Sequence, residues 1–92
     1  MTIEDARLII VENMSDIFDS HDFIREFKLR NRNLYEEMVE KCASVTSAHG
    51  MISIFLLNHA SALGIEKNGE GKNKSKNING KITPCAKWSK IR

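Results

Sequence analysis

From Thr46 to Gly64 the chain runs TSAHGMISIFLLNHASALG, without a single Lys, Arg, Asp or Glu. A neutral, largely apolar stretch of this length has to be covered by something, and it reads as one helix. Thr46 or Ser47 is a suitable N-cap, because a hydroxyl can accept from an orphan backbone N–H of the first turn. Gly64 is a suitable left-handed stop. A helical period of about 100° per residue puts Ala48, Ile52, Phe55, His59, Ala62 and Leu63 on one face, with Met51 and Leu56 flanking it. The opposite face carries Gly50, Ser53, Ile54, Leu57 and Ser61. Solvated helix faces are normally charged, and this one is not. Either another part of the chain or a second copy covers Ile54 and Leu57, or Gly50, Ile54, Leu57 and Ser61 form a contact surface for another protein.

The preceding residues supply candidates for the cover. Thr2-Ile3-Glu4-Asp5 is a capping-box-like start, and Ile3, Ala6, Ile10 and Met14 repeat at helical spacing with Ile9 beside them, so a helix is expected from Ile3 to Asn13 or Met14. Residues 15–20 read as a turn, with Ser20 as N-cap of a helix starting at His21 whose buried stripe is Phe23, Ile24 and Phe27. Arg25, Lys28 and Arg32 fall on its exposed side, either as a solvated face or as a row of anion contacts. Arg30-Asn31-Arg32-Asn33 breaks the apolar period. A further helix is expected from Leu34 to Cys42, capped by Asn33, with Leu34, Met38, Val39 and Cys42 inward and Tyr35 at the edge. A continuous helix from His21 to Cys42, kinked near Asn31, is the alternative. Ala43 to Val45 is a turn.

Beyond Gly64 the character changes. Ile65-Glu66-Lys67 is a short strand candidate. Residues 68–80, NGEGKNKSKNING, hold almost nothing apolar and are expected to be a flexible loop. Residues 81–91 alternate Ile82, Pro84, Ala86 and Trp88 against Thr83, Cys85, Lys87 and Ser89, the pattern of a half-buried strand with Trp88 as its anchor. The formal net charge of +2 conceals a segregation: residues 1–63 carry six Lys/Arg against ten Asp/Glu, and residues 64–92 carry eight against two. The basic end is a local patch suited to an anion.

Ninety-two residues suffice for one domain, here a helical part over 1–64 followed by a hairpin over 65–92. The order of elements, mainly α with three or four helices and then a two-stranded antiparallel wing, resembles the winged-helix arrangement. The resemblance rests on the central helix ending at Gly64, the strand Ile65–Lys67, the loop holding Lys72, Lys74 and Lys76, and the strand containing Trp88. It is one of order and spacing, without a specific motif. It implies that the central helix is the recognition helix and that the hairpin reaches a DNA or RNA backbone. Lys67, Lys72, Lys74, Lys76 and Lys81 are the lysines that phosphate attraction would use. Ser47, His49 and Ser53 are the groups on the central helix able to reach a base, each by single bonds and none by the bidentate geometry of Arg, Lys, Asn or Gln.

No catalytic motif is present. His21 and His49 sit near helix N-termini beside Ser20, Asp22 and Ser47, which is capping chemistry, and His59 reads as a histidine at the core edge. Phosphate-cradling glycine loops and nucleophile elbows are missing. Cys42 and Cys85 form no CxxC and read as reduced, partly buried thiols; with His21, His49 and His59 they match no zinc spacing, so no metal and no cofactor is expected. No apolar run is long enough for a signal peptide or a membrane span, and the expected location is the cytoplasm. The expectation is a non-catalytic nucleic-acid-binding protein without a small-molecule substrate, or alternatively a protein-interaction module or inhibitor, dimeric or not.

Overall fold

Trp88 organises the C-terminal half. It is fully buried, and it lies in the middle strand of a three-stranded antiparallel sheet ordered β1-β5-β2, built from Ile17–Asp19, Lys87–Lys90 and Ile65–Lys67. The computed structural model describes residues 1–69 and 74–91. Trp88 stands opposite Phe18 on one side and Lys67 on the other. Side chains alternate along a strand, so Phe18, Ile65 and Trp88 share a face, and all three are buried.

That face joins one core with the helices α1 (Ile3–Asn13), α2 (Ser20–Arg30), α3 (Arg32–Cys42), α4 (Val45–Asn58) and the single turn α5 (Ala60–Leu63), α2 meeting β1, α5 meeting β2, and α3 packing on α2 and α4. Thr2 caps α1 as expected, its Oγ1 accepting from the Asp5 N–H at 3.1 Å. Ala6, Ile9, Ile10, Met14, Phe23, Ile24 and Phe27 are buried where the periodicity put them, whereas Ile3, the first residue of α1, is exposed at the end of its stripe. The C-terminal strand ties α1 down, because the Lys90 ammonium donates to the carbonyl of Met14, the C-cap of that helix. The fold is mainly helical with small antiparallel sheets, and no helix among the described residues is long and apolar enough to cross a membrane.

Several expectations need correction. The segment 15–20 is not merely a turn. It contains β1, and the cap of α2 is Asp19, not Ser20, closed by a reciprocal box with Asp22 at 2.9 and 3.1 Å. Ser20 is instead fully buried, where its hydroxyl accepts from the Trp88 indole N–H at 3.0 Å. A three-residue strand with one buried side chain has too few positions for alternation to show.

The alternative of one helix from His21 to Cys42 is also ruled out, since Asn31 (φ −129°, ψ 55°) separates α2 from α3. The second helix starts at Arg32 rather than Leu34. Tyr35 is buried, not at the edge. Its hydroxyl has a partner in His49 at 2.7 Å, and a tyrosine so satisfied can bury its ring.

The central stretch is not one helix. It is capped by Ser44, whose Oγ accepts from the Ser47 N–H at 3.0 Å, and it breaks at His59 (φ −116°, ψ 15°) into α4 and α5. Asn58 and His59 are both poor helix formers, and the break falls on them. Ala48, Ile52 and Leu63 are buried as expected and Leu56 joins them, while Phe55 and His59 are only half-buried, their rings 4.6 Å apart, and Ala62 is exposed. Gly64 (φ 71°) is the left-handed stop the sequence indicated.

The wing is likewise not a simple pair of strands. The run 81–91 is interrupted at Cys85 and Ala86, giving β4 (Ile82–Pro84) before β5. β4 pairs not with residues 65–67 but with β3 (Lys74–Lys76), inside the stretch read as flexible loop. The hairpin closes through Asn77, whose Oδ1 accepts from the N–H groups of Asn79 and Lys81 at 2.9 and 3.0 Å, with Gly80 at φ 81°. An asparagine side chain that replaces missing backbone bonds lets a polar sequence hold a turn without a core.

Candidate functional site

Two basic groups lie far apart in sequence and meet at the β3–β4 hairpin. On α2, Arg25, Lys28 and Arg32 (the last opening α3) line an open groove of about 440 Å³ with Leu29, and Ile78 from the hairpin turn lines it as well. Arg25 joins the two parts. One of its guanidinium nitrogens pairs with Asp22 at 3.3 Å and the other donates to the Lys76 carbonyl at 3.2 Å. Lys28 places its ammonium 5.4 Å from the centre of the Tyr35 ring, and Arg32 pairs with Glu36 at 3.1 Å. The three cations are therefore already engaged within the chain, Arg25 and Arg32 in ion pairs at the surface and Lys28 against an aromatic face. Exposed pairs of this kind are weak and exchange readily for a phosphate.

Lys74, Lys76 and Lys81 are exposed on the hairpin. Lys67 is exposed as well, but on β2, an outer strand of the other sheet. Lys72, the remaining lysine of the expected set, lies outside the described residues.

The first turn of α4 stands beside the hairpin. Val45, Thr46 and His49 share a cavity of about 360 Å³ with Asn77, Asn79, Lys81, Thr83 and His21. Of the three groups expected to reach a base, Ser47 is exposed, while His49 and Ser53 are half-buried. His49 is held by Tyr35, and its pKa lies below the ordinary 6.5 because burial opposes the charge, with His21 and Lys28 adding repulsion. A neutral imidazole keeps one donor and one acceptor nitrogen, and in either role Nε2 can serve the Tyr35 hydroxyl, which both donates and accepts. Burial also raises the Tyr35 pKa above 10.0.

The expected protein-contact residues Gly50, Ile54 and Leu57 on the outer side of α4, and Ser61 on α5, are all exposed. Met51 joins them, so that three large apolar side chains, Met51, Ile54 and Leu57, are 55–57% exposed along one helix. No charged residue interrupts this strip. A Cβ added at Gly50 would meet nothing within 4 Å, so this glycine is not there for close packing within the chain.

Sequence reasoning did not identify a polar network beneath the hairpin. His21, 8% exposed, pairs through Nδ1 with the Ser75 hydroxyl at 2.7 Å and through Nε2 with the Thr83 hydroxyl at 3.2 Å. Ser75 Oγ also lies 3.6 Å from Cys85 Sγ. Asp19, His21 and Cys85 each offer one donor atom, and the three atoms lie within 4.8 Å of one another. Asp19 and His21 are neighbours in the chain, but Cys85 comes from the connection between β4 and β5, and no spacing rule links them. Cys42 stands elsewhere, between α3 and α4, with its thiol 3.1 Å from the Met51 sulfur.

Comparison with protein-family models, with curated proteins and with solved structures gave no match.

Proposed function

We propose that this protein is a non-catalytic nucleic-acid-binding module of winged-helix type, with β3–β4 as the wing and α3–α4 as a helix–turn–helix. The observation that carries the reading is the meeting of the two cationic groups: Arg25 bonds the backbone of the hairpin at Lys76, which brings the α2 row beside the element that carries the exposed Lys74, Lys76 and Lys81, Lys81 lining the neighbouring cleft with His49. Two features of the architecture support it. The strand order β1-β5-β2, with β1 between α1 and α2, suits a winged helix. The α3–α4 connection is only Ala43 and Ser44, with Ala43 left-handed (φ 61°), which suits a helix–turn–helix. The binding is expected to be largely independent of sequence, since the N-terminal half of α4 offers only Ser47, His49 and Ser53 for single bonds, and the one amide of α4, Asn58, stands at its far end.

The test is a titration with random duplex DNA and random single-stranded RNA at two salt concentrations, alongside a Lys74/Lys76/Lys81→Ala triple variant. The logarithm of affinity falls with that of salt by about 0.9 per phosphate neutralised on B-DNA. The triple variant is therefore expected to bind more weakly and with a shallower slope. Absence of binding by the wild type at low salt would end this reading.

A second reading, a protein-interaction module or inhibitor, is favoured by the exposed Met51, Ile54 and Leu57 strip. It predicts association with little salt dependence and a large loss on Leu57→Asp, a change the nucleic-acid reading leaves nearly silent.

A further inference from the structure

The described surface holds several clefts, but one cluster combines three different metal-ligating chemistries, two from the β1–α2 junction and one from a distant part of the chain. Asp19 ends β1 and caps α2, His21 lies in the first turn of α2, and Cys85 lies in the connection from β4 to β5. We propose that Asp19, His21 and Cys85 form a binding site for one zinc-class divalent ion, which fastens the hairpin to the helical body.

The chemistry of the donors narrows the ion. A thiolate, an imidazole and a carboxylate suit zinc or cobalt(II), whereas calcium and magnesium take oxygen ligands almost exclusively. The geometry is close to what such an ion needs. Tetrahedral zinc with bonds of 2.0–2.3 Å sets its ligand atoms about 3.5 Å apart. The three donor atoms here are within 4.8 Å of each other, so closure requires movements of about 1 Å.

The surroundings fit as well. Ligating imidazoles almost always hold a partner on their second nitrogen, which fixes the ring. His21 has a hydroxyl on each nitrogen, Thr83 at Nε2 and Ser75 at Nδ1, so whichever nitrogen meets the ion, the other keeps its partner. Ser75 Oγ lies near both His21 Nδ1 and Cys85 Sγ, placing a hydroxyl where a fourth ligand or a metal-bound water belongs. Asp19 is fixed by the pairing of β1 with β5 and by its capping bond from the Asp22 N–H, and that bond uses Oδ1. Coordination displaces the Cys85 thiol proton to solvent and consumes no oxidant or reductant, so the site changes the chain's charge without redox chemistry.

This proposal is independent of nucleic-acid binding, since the ligands lie beneath the hairpin and not among its exposed lysines. The test is a titration of the reduced full chain with cobalt(II) at neutral pH, read by absorption. The expected result is a single equivalent giving thiolate-to-cobalt charge transfer in the near ultraviolet and tetrahedral d–d bands, both abolished by added zinc. Cys85→Ala is expected to remove the charge-transfer band, and Cys42→Ala to leave it unchanged. His21→Asn tests the imidazole; because His21 is buried, its circular dichroism is compared with wild type. Asp19→Asn serves as a second, half-buried ligand variant, with the side-chain amide retaining the capping oxygen.

Zinc is further expected to raise the melting temperature of wild type and Cys42→Ala but not of Cys85→Ala. No spectral change with stoichiometric cobalt in folded wild type would overturn the proposal. So would a charge-transfer band that survives Cys85→Ala and vanishes with Cys42→Ala.

Discussion

The two small sheets are both antiparallel and both close to His21, yet they are held by different physics. In β1-β5-β2 the adhesive is chiefly apolar: Phe18, Ile65 and Trp88 are buried in the core, the Trp88–Ser20 bond satisfies the indole, and the Lys90 bond to the Met14 carbonyl is a polar addition at the end of β5. In β3–β4 no strand residue is buried. The hairpin is attached by hydrogen bonds between His21 and the Ser75 and Thr83 hydroxyls, by Arg25 to the Lys76 carbonyl, and by the partly buried Ile78 in its turn. An apolar attachment is insensitive to pH and to mild salt, whereas a polar one depends on the solvent and on whatever binds nearby. The first sheet therefore belongs to the scaffold, and the second is the element a ligand can move.

The sharpest way to break this contrast is Trp88→Ala. Removing a fully buried indole costs about 3–5 kcal/mol, which a domain of this size has little margin to absorb, and the expected outcome in a urea titration is a chain largely unfolded at 25 °C. Ser20→Ala comes next. It strands the buried Trp88 N–H and is expected to cost about 1–3 kcal/mol in the same measurement, without altering the spectrum of the native state. If Ser20→Ala proved neutral, the sheet would be held by burial alone.

Arg25→Ala probes the other sheet. The Arg25 pair is half exposed, so the global cost is expected to be no more than about 1 kcal/mol. Hydrogen exchange should nevertheless quicken at the amides of residues 74–84 while those of β5 stay protected. Equal effects on both sheets would show that they open as one unit.

The smallest effect sharpens the contrast through pH. His49 has a folded pKa below 6.5, so the folded state disfavours its charged form. Its contribution to stability is complete above 6.5 and is lost as pH falls through the folded value, because the unfolded chain takes up the proton first. The measurement is the difference in urea midpoint between pH 7.5 and pH 5, expected to be smaller in His49→Gln than in wild type. Tyr35 acts at the opposite end. Its raised pKa means that its contribution is present below 10.0 and is lost as pH rises through the folded value.

What the sequence alone determined follows from patterns long enough to be read locally. The stripes Ala6-Ile9-Ile10-Met14 and Phe23-Ile24-Phe27, the Thr2 cap, the Gly64 stop and the burial of Trp88 all came from helical periodicity or from one residue's size, and each is buried or placed accordingly. The basic rows on α2 and in the hairpin were legible as composition, but their meeting was not, because Arg25 and Lys76 are joined only by the fold. Tertiary structure alone decided the third strand Ile17–Asp19, the transfer of the Ser20 hydroxyl from a cap to Trp88 and the convergence of Asp19, His21 and Cys85. Three-residue strands carry too little alternation to be seen. A hydroxyl or a thiol has no periodicity at all: its role is set by the distant atom it reaches, and that atom is chosen when the two sheets close over α2.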